Sequence, residues 1–293
     1  MLVDLNYNEL LENLGGVKAY LDYSLKSLNR YGTGGNAKLV VFPNSKEELS
    51  FALSKIKNNY PFFIIGNGSN LLVSDSGYDG VVISTKYING IDIKSNLLVA
   101  DAGALLKDVI KEMKDNCFGG LEFAINIPAT VGGAVAMNAG CFGKSISEAV
   151  KYVVADSGIY TQKECDFSYR HSRFLNNDVI YKVCFNLEPS EEDIIEEKLT
   201  AYKGFRKNPK GRSCGSVFKN DGYFAGKVID DVGLKGYAIG GARVSTQHAN
   251  FIIAEDGCKS IDIYNLIKLI KEKVYLKKQI NLCEEIVYLG DFK

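Results

Sequence analysis

A glycine-rich segment, Gly66-Asn67-Gly68-Ser69-Asn70, directly follows the apolar run 62–65 and has the residue types of a phosphate cradle. Glycines at alternate positions allow successive backbone N–H groups to point into one concavity, which suits a pyrophosphate, and the Ser and Asn add side-chain donors. The segment matches neither the dinucleotide fingerprint G-x-G-x-x-G, because position 71 is Leu, nor a Walker loop. A tight hairpin turn is an equally good interpretation of these residues.

A second segment, residues 120–140, is rich in small side chains and has Glu122 as its one charged residue. Small residues would allow a flat aromatic cofactor to lie directly on the backbone, although a closely packed crossing of a buried strand and a helix has the same composition. Together the two segments favour a large nucleotide cofactor of dinucleotide size. The candidate cofactor-binding residues are Gly66, Asn67, Gly68, Ser69, Asn70, Pro128, Thr130, Gly132, Gly133, Asn138, Ala139 and Gly140.

The composition narrows the classes of protein to which the chain could belong. Its 293 residues predict two domains, or three small ones. Lys plus Arg and Asp plus Glu number 35 each, so the formal net charge of zero argues against a nucleic-acid-binding protein. No apolar run approaches the roughly 20 residues that span a bilayer, and residues 1–14 contain acids but no Lys or Arg, unlike a signal peptide. Seven Cys without a C-x-x-C pair, and only two His, predict reduced thiols in a cytoplasmic protein and no metal site.

Strand-like apolar runs alternate with segments of helical periodicity, which predicts an α/β or α+β fold. The predicted strands are 39–42, 62–65, 71–73, 81–83, 97–100, 151–155 and 179–187. The predicted helices are 46–57, 104–114, a helix that follows Ser190, and 260–277. A domain boundary is expected near 188–202.

Several motifs, in order, are similar to those of the UDP-N-acetylenolpyruvoylglucosamine reductase family, often called MurB, over nearly the whole chain. The matching motifs are 33–35, 66–75, 120–140, 167–170, 214–220, 225–230, 233–236 and 244–251. Any one of them could arise by chance, whereas all of them in the family's order are specific to it.

The resemblance implies an α+β protein. The implied architecture is the two-part FAD-binding fold shared by vanillyl-alcohol oxidase and para-cresol methylhydroxylase (PCMH), followed by a C-terminal α+β substrate domain. We expect FAD-binding subdomains at 1–88 and 89–200 and the substrate-binding domain at 201–293. The short stretch between Arg170 and Ser216 resembles the shorter type of the family, which lacks an inserted tyrosine loop over the substrate.

The implied activity is NADPH-dependent, FAD-mediated reduction of UDP-N-acetylglucosamine enolpyruvate to UDP-N-acetylmuramate. This is a step of peptidoglycan precursor synthesis, and thereby of cell-wall biogenesis, cell shape and cell division. The expected cofactors are FAD and NADPH, since a flavin carries the hydride itself. The expected partners of this cytoplasmic enzyme are the enolpyruvyl nucleotide and NADPH, with no nucleic acid and no membrane, and a monomer is the working assumption.

Two residues match catalytic positions of the family that handle the substrate carboxylate and the proton. Arg170 matches the arginine at the carboxylate of the enolate, where a guanidinium meets two oxygens at once, although Arg173 shows that a surface arginine is not unusual here. Ser216 matches the serine that delivers a proton to the carbon beside that carboxylate. Cys214 is a second candidate because a thiol is the stronger acid, and a plain turn is the structural alternative for a Ser after Gly.

Glu285 matches the third catalytic position of the family, which assists enolate stabilisation and protonation. The family usually reads Leu-Glu-Pro-Glu-Val-Arg, whereas this chain reads Leu282-Cys283-Glu284-Glu285-Ile286-Val287. Alignment on the leucine selects Glu285, and a slip of one residue selects Glu284. The two side chains point to opposite sides if the segment is a strand.

Contacts to the nucleotide substrate are also expected from the resemblance. The candidate substrate-binding residues are Lys219, Asn220, Lys227 and His248. Lysines could pair with the diphosphate, a solvated cationic face is the alternative, and the histidine is not expected to be a catalyst. Two other departures from the family pattern, at Gly32 and at Asn208-Pro209, lie off the expected proton and hydride paths.

Two other functions stay open at this point. One is an FAD-dependent oxidase or dehydrogenase on the same fold, which Ser216 and Arg170 disfavour because removing a hydride from an alcohol needs a base. The other is a non-catalytic nucleotide-sugar binder, which only the altered region around Glu285 suggests.

Overall fold

The computed structural model describes residues 5–175, 178–205 and 208–292. The α-helices are α1 Tyr7–Asn13, α2 Lys46–Ile56, α3 Leu106–Asp115, α4 Val131–Ala136, α5 Glu192–Phe205, α6 Ala225–Asp231 and α7 Ser260–Lys278. The β-strands are β1 Ala19–Ser24, β2 Asn36–Val41, β3 Phe62–Ile65, β4 Leu71–Val73, β5 Tyr78–Ser84, β6 Ile91–Lys94, β7 Leu97–Asp101, β8 Phe118–Gly119, β9 Gly140–Cys141, β10 Lys144–Ser145, β11 Val150–Ala155, β12 Gly158–Thr161, β13 Ile180–Asn186, β14 Glu188–Pro189, β15 Ala238–Ile239, β16 Ala242–Val244, β17 Ile252–Ala254 and β18 Val287–Leu289.

The described chain divides into two compact units, each of which is interrupted in the sequence. The first unit holds the described residues up to Tyr20, then Leu39–Asn67, and then those from Val81 to 205. The second unit holds Leu21–Lys38, Gly68–Gly80 and the described residues from Asn208 onward. The predicted domain bounds at 88/89 and 200/201 stay a prediction, and the residues 1–4, 176, 177, 206, 207 and 293 that they include lie outside the described part.

The first unit contains a five-stranded antiparallel sheet in the order β12-β11-β13-β7-β6. Helix α3 buries Leu106, Val109, Ile110 and Met113, whose spacing gives the helix one apolar face, and these residues share an apolar cluster with the sheet. Residues of α4 and α5 complete that cluster. A second apolar cluster of this unit combines α1 and α2 with β2 and with the parallel strands β3 and β5.

The second unit contains the antiparallel sheet β15-β16-β17 and the parallel pair β18 and β4. Helix α7 buries one face, which carries Ile263, Leu266, Ile267, Ile270 and Val274. In the parallel pair, Val287 lies beside Leu71. This register brings the chain just before β18 next to the chain just before β4.

The elements predicted from the sequence are confirmed, with shifts of a few residues at their ends. Helix α2 starts where predicted because the Ser45 side chain accepts a hydrogen bond from the Glu48 N–H at 3.1 Å. Helix α3 starts later than the predicted residue 104, since the Leu105 backbone forms a bridge with Thr130. The predicted strand at 39–42 is the end of β2, which begins at Asn36.

Candidate functional site

The two glycine-rich segments meet within the first unit. The Asn67 side chain donates a hydrogen bond to the Pro128 carbonyl at 2.6 Å, across 61 residues of sequence. A Cβ placed on Gly66 would lie 2.2 Å from Thr130 Oγ1, so this approach is open to glycine alone. The structure therefore brings together candidate cofactor residues from both segments.

Part of the small-residue segment forms helix α4, and the backbone N–H groups of the first three residues of this helix are already bonded. The amides of Val131 and Gly132 donate to the carbonyls of Ala104 and Ala102, both at 2.8 Å. The amide of Gly133 donates to Thr130 Oγ1 at 3.3 Å, which caps the helix. Gly132 packs against the protein, since a Cβ there would lie 2.9 Å from Ala102 Cβ. Gly133 is exposed and can offer a cofactor a surface without a side chain, but its N–H is already bonded.

The remaining residues of the first glycine-rich segment lie in the second unit and differ from the start of α4 in the hydrogen bonding of their backbone N–H groups. Among the residues that the structure describes, the backbone amides of Gly68, Ser69 and Asn70 donate to no protein acceptor. Gly68 has a φ of 57°, and a Cβ there would lie 2.1 Å from the Leu28 carbonyl oxygen. Three successive free donors fit the pyrophosphate of a dinucleotide cofactor such as FAD.

Arg170 lies in a tight turn of the first unit. The backbones of Ser168 and His171 exchange two hydrogen bonds of 3.1 Å, and Arg170 takes a left-handed φ of 55° between them. Its guanidinium donates to the Gly140 carbonyl at 3.2 Å and lies 5.1 Å from the Tyr169 ring centre. The candidate arginine is thus joined to the end of the small-residue segment.

Ser216 lies in the second unit beside a tightly held buried pair, Val217 and Phe218. The Val217 N–H donates to the Asn250 carbonyl at 2.9 Å, and the Val217 carbonyl accepts from the Glu285 N–H at 2.8 Å. Gly215 has a φ of 77° and no atom within 4 Å of a Cβ placed on it, so the space beside this loop is open. The structure therefore places the Glu285 backbone beside Val217, the residue that follows Ser216.

The Cys214 thiol is a weaker candidate for the proton donor than the sequence alone indicates. It is buried and donates to the Leu71 carbonyl at 3.2 Å. Burial raises the pKa of the Cys214 thiol to about 11. Its proton is therefore held inside the protein, whereas Ser216 is partly exposed.

Glu284 and Glu285 differ in their surroundings. The Glu284 carboxylate accepts a hydrogen bond from Lys271 Nζ at 2.7 Å, and its backbone forms a bridge with Phe218. The Glu285 carbonyl accepts from the Asn70 side chain at 2.9 Å, next to the free amides of the first glycine-rich segment. The Lys271 ammonium thus neutralises the Glu284 carboxylate, and the assignment of Glu285 to the third catalytic position stays a prediction.

The four candidate substrate residues all lie in the second unit. The Lys219 N–H donates to the Cys283 carbonyl at 2.9 Å, which places this lysine beside the two glutamates. Asn220 Oδ1 accepts from the Ala225 N–H at 2.9 Å at the start of α6, and Lys227 is exposed on that helix. His248 Nδ1 accepts from the Asn250 N–H at 3.2 Å, so the ring supports the loop that holds Val217.

Asn250 has a role that sequence reasoning did not single out. Its side chain is 2% exposed. The side-chain amide makes the two hydrogen bonds that the backbone of a neighbouring strand would otherwise make. Oδ1 accepts from the Phe218 N–H at 2.9 Å, and Nδ2 donates to the Phe218 carbonyl at 2.8 Å. It lies within the motif 244–251, and its partner is 32 residues away, which no local pattern reveals.

Residues 5–175, 178–205 and 208–292 contain neither a metal-binding cluster nor a membrane-spanning helix. No group of three or more His, Cys, Asp or Glu side chains in these ranges could hold a metal ion. No helix in these ranges is long and apolar enough to cross a membrane.

Comparisons with known proteins point to one family. A family model of the UDP-N-acetylenolpyruvoylglucosamine reductase C-terminal domain matches residues 207–289, and a model of an FAD-binding domain matches residues 37–162. The UDP-N-acetylenolpyruvoylglucosamine reductase of Clostridium botulinum (strain Langeland) is 37% identical over 289 residues, which cover 95% of this chain and 94% of that protein. The Lactobacillus acidophilus protein of the same name is 38% identical over 278 residues, which cover 90% and 93%.

A solved structure gives the same answer for the fold. The crystal structure of UDP-N-acetylenolpyruvylglucosamine reductase (MurB) from Thermus caldophilus superimposes with a TM-score of 0.82 at 31% identity. The match covers 94% of this chain and 99% of that one. Together with the FAD-binding match, it confirms the predicted two-part FAD-binding fold followed by a C-terminal α+β domain.

Proposed function

The chain belongs to the UDP-N-acetylenolpyruvoylglucosamine reductase family, and on that premise we propose that it reduces UDP-N-acetylglucosamine enolpyruvate to UDP-N-acetylmuramate with NADPH. A hydride and a proton add across the enolpyruvyl double bond while NADPH is oxidised to NADP⁺. The observation that carries this proposal is the match over 95% of the chain, which includes both the cofactor part and the substrate part.

The described residues fit FAD as the bound cofactor, which takes a hydride from NADPH and supplies it to the substrate. The free amides of Gly68, Ser69 and Asn70 would bind the pyrophosphate. The exposed Gly133 would offer the close backbone surface that a flat ring needs, and Gly132 would allow α4 to pack closely on Ala102 beneath it.

Arg170 would bind and polarise the substrate carboxylate. The guanidinium presents paired N–H groups that meet two carboxylate oxygens, and it stabilises the negative charge that develops on the enolate. The turn of Ser168 to His171 supports this role because it fixes the backbone from which the side chain extends.

Ser216 would deliver the proton to the carbon beside the carboxylate. A serine hydroxyl is a weak acid, so the proton must be replaced as it leaves, and Glu285 is held at the neighbouring Val217 carbonyl. We assign Glu285 to assisting this proton delivery and the stabilisation of the enolate.

The nucleotide part of the substrate would be contacted by four residues, namely Lys219, Asn220, Lys227 and His248. The two lysines would pair with the diphosphate. We place the protein in the cytoplasm, which agrees with its seven free cysteines. The substrate and NADPH would be its small-molecule partners, and a monomer stays a prediction.

The proposal is tested by visible absorbance under anaerobic conditions. NADPH should bleach the flavin band of the purified protein, and UDP-N-acetylglucosamine enolpyruvate should restore it without oxygen. UDP-N-acetylglucosamine, which lacks the enolpyruvyl group, should restore nothing. A bleached flavin that only oxygen reoxidises would favour an oxidase, and a protein without a flavin band after incubation with FAD would favour a nucleotide-sugar binder.

The Ser216→Ala variant tests the proton donor. It should slow reoxidation by the enolpyruvyl substrate by about 100- to 1,000-fold, because general acid catalysis is lost. Bleaching by NADPH should stay within about twofold of the parent rate, since this half-reaction does not protonate the substrate. Ser213→Ala, the same change three residues earlier, should leave both rates unchanged. Equal loss of both half-reactions in Ser216→Ala would contradict the assignment.

A further inference from the structure

Three side-chain hydrogen bonds join the segment 136–140 to the turn 168–172 within the first unit. The Ser172 hydroxyl donates to the Ala136 carbonyl at 2.7 Å. The Asn138 side chain donates to the Ser168 carbonyl at 2.8 Å. The Arg170 guanidinium donates to the Gly140 carbonyl at 3.2 Å. The end of the small-residue segment and the arginine turn therefore form one hydrogen-bonded substructure.

Asn138 is the central member of this substructure. It is 6% exposed and has a left-handed φ of 41°, a conformation that Asn and Asp tolerate better than other side chains. Oδ1 accepts a hydrogen bond from the Ser147 N–H at 3.3 Å, which fixes the orientation of the side-chain amide. Nδ2 is thereby directed at the first carbonyl of the arginine turn.

We propose that Asn138 is a positioning residue for Arg170: its side-chain amide fixes the turn that presents the guanidinium to the substrate carboxylate. The inference rests on the proposed function of Arg170. The Ser168 carbonyl that accepts from Asn138 also accepts from the His171 N–H at 3.1 Å, so one carbonyl joins the Asn138 amide to the backbone bonds that close the turn around Arg170.

The physical reason is orientation. An arginine side chain has several rotatable bonds, and its two donors meet two carboxylate oxygens only when the backbone beneath it is fixed. A displacement of about 1 Å at a reacting centre can lower a rate by about 100-fold. Asn138 would thus act on the reaction without touching the substrate.

Asn138→Asp isolates the contact. It keeps the shape, the tolerance of the left-handed backbone and an oxygen for the Ser147 N–H, but it replaces the donor to Ser168 by an oxygen that repels the carbonyl. Reoxidation of the reduced flavin by the enolpyruvyl substrate should slow by about 10- to 100-fold. Bleaching by NADPH should stay within about twofold. The Kd of oxidised enzyme for the enolpyruvyl nucleotide, read from the perturbed flavin spectrum, should rise about tenfold.

The carboxylate-free ligand UDP-N-acetylglucosamine separates positioning from general damage. Its Kd should not change in Asn138→Asp, because it has no carboxylate for Arg170. Asn116→Asp is the matched control, since the Asn116 amide also donates to a backbone carbonyl, that of Glu112 at 2.9 Å, at an exposed site. Asn116→Asp should leave rates, both Kd values and FAD affinity unchanged.

A double variant gives the decisive measurement. In an Arg170→Lys background, Asn138→Asp should slow reoxidation by less than about twofold further, because no guanidinium is left to orient. The positioning role would be overturned if the rate reductions caused by the two substitutions multiplied in the double variant. It would also be overturned if Asn138→Asp weakened the binding of both nucleotides equally. If Asn138→Asp fails to retain FAD, Asn138→Ser, which keeps a shorter donor, should show the same pattern at smaller size, and loss of all binding there would also overturn it.

Failure of the proposed function has a different signature. The parent enzyme itself would then not regain its flavin colour with the enolpyruvyl substrate. The comparison of the two Kd values would still test whether Asn138 orients Arg170 toward a carboxylate.

Discussion

Two adjacent carboxylates close to the C-terminus, Glu284 and Glu285, have different partners and should have different functions. Glu284 is paired with Lys271 at 2.7 Å, and the side chains are 27% and 39% exposed, respectively. Glu285 donates its N–H to the carbonyl of Val217, the residue after Ser216. We therefore expect Glu285→Gln to lower the rate of flavin reoxidation by the enolpyruvyl substrate by about 100-fold or more.

Glu284→Gln is the matched control for this prediction. It removes the same charge one residue away and should leave the rate within a few-fold of the parent. Loss of the pair with Lys271 should cost less than about 1 kcal/mol of unfolding free energy, because both groups reach solvent. Stopped-flow reoxidation of NADPH-reduced enzyme measures both variants. A slower Glu284→Gln than Glu285→Gln would show that the alignment slips by one residue.

For single residues, the sequence predicts which side chains carry the chemistry but not which neighbouring residues position them through hydrogen bonds or ion pairs. Arg170, Ser216 and Glu285 can be selected from motifs, whereas Asn250 cannot. The amide of Asn250 bonds to Phe218, which lies 32 residues away and becomes its neighbour only after folding. The choice between Glu284 and Glu285 likewise depends on Lys271, which α7 brings to one of them.

Among the elements, the contact between the loop after β3 and the start of α4 should tolerate no side chain at Gly66. A Cβ there would lie 2.2 Å from Thr130 Oγ1. We expect Gly66→Ala to cost about 2 kcal/mol or more of unfolding free energy and to weaken FAD binding, because the new methyl group must displace the Thr130 side chain that caps α4. Urea unfolding of the FAD-free protein and titration with FAD measure the two effects.

A double variant tests whether the Thr130 hydroxyl is the cause. Thr130→Ala alone should cost about 1 kcal/mol, since Thr130 caps α4. The double variant Gly66→Ala, Thr130→Ala should cost less than the sum of the two, because the clashing oxygen is gone. Gly204→Ala in α5 is the control glycine: a Cβ there meets nothing within 4 Å, so stability should stay equal or rise. Additive costs would assign the damage at Gly66 to another cause.

Elements with strong local signals are predicted well from the sequence. Helix α7 agrees with its predicted range within one residue, because buried apolar residues repeat along one face from Ile263 to Val274. Helix α3 has the same spacing, yet its start is displaced by the bridge between Leu105 and Thr130, a contact that forms only in the folded protein. The pairing of β18 with β4 has no local signal at all, since the strands are separated by most of the chain.

For the whole molecule, the sequence gives no sign that the compact units are discontinuous. The second unit takes up residues 21–38 and 68–80 in addition to the C-terminal part, and no local pattern in either piece assigns it to that part. Such a division depends on long-range pairing, as in the hydrogen bond from the Ser260 hydroxyl to Thr33 Oγ1 at 2.7 Å. The family resemblance supplies the fold class where local pattern does not.

Buried thiols give the whole molecule a defined response to alkali. Burial raises the pKa of Cys165 and Cys214 to about 11 each, and that of Cys258 to about 12, from an ordinary value of 9.0. A raised pKa means that the folded protein holds the proton more tightly than the unfolded chain. The associated stability is complete below about pH 9 and is lost as the pH rises through the folded pKa.

Cys165→Ala should therefore flatten the alkaline fall in stability. Between pH 8 and pH 10.5, the thiol of Cys165 should account for about 2 kcal/mol of the fall in the parent protein, because the unfolded chain ionises in this range and the folded protein does not. Urea unfolding in the presence of a reductant, at half-unit steps of pH, measures this difference. Cys117→Ala is the matched control in the same unit, since it is the same substitution at an exposed cysteine. If the unfolding free energies of Cys165→Ala and the parent fell in parallel with pH, Cys165 would not hold its proton through burial. The loss of stability at high pH would then come from the other buried thiols and the tyrosines.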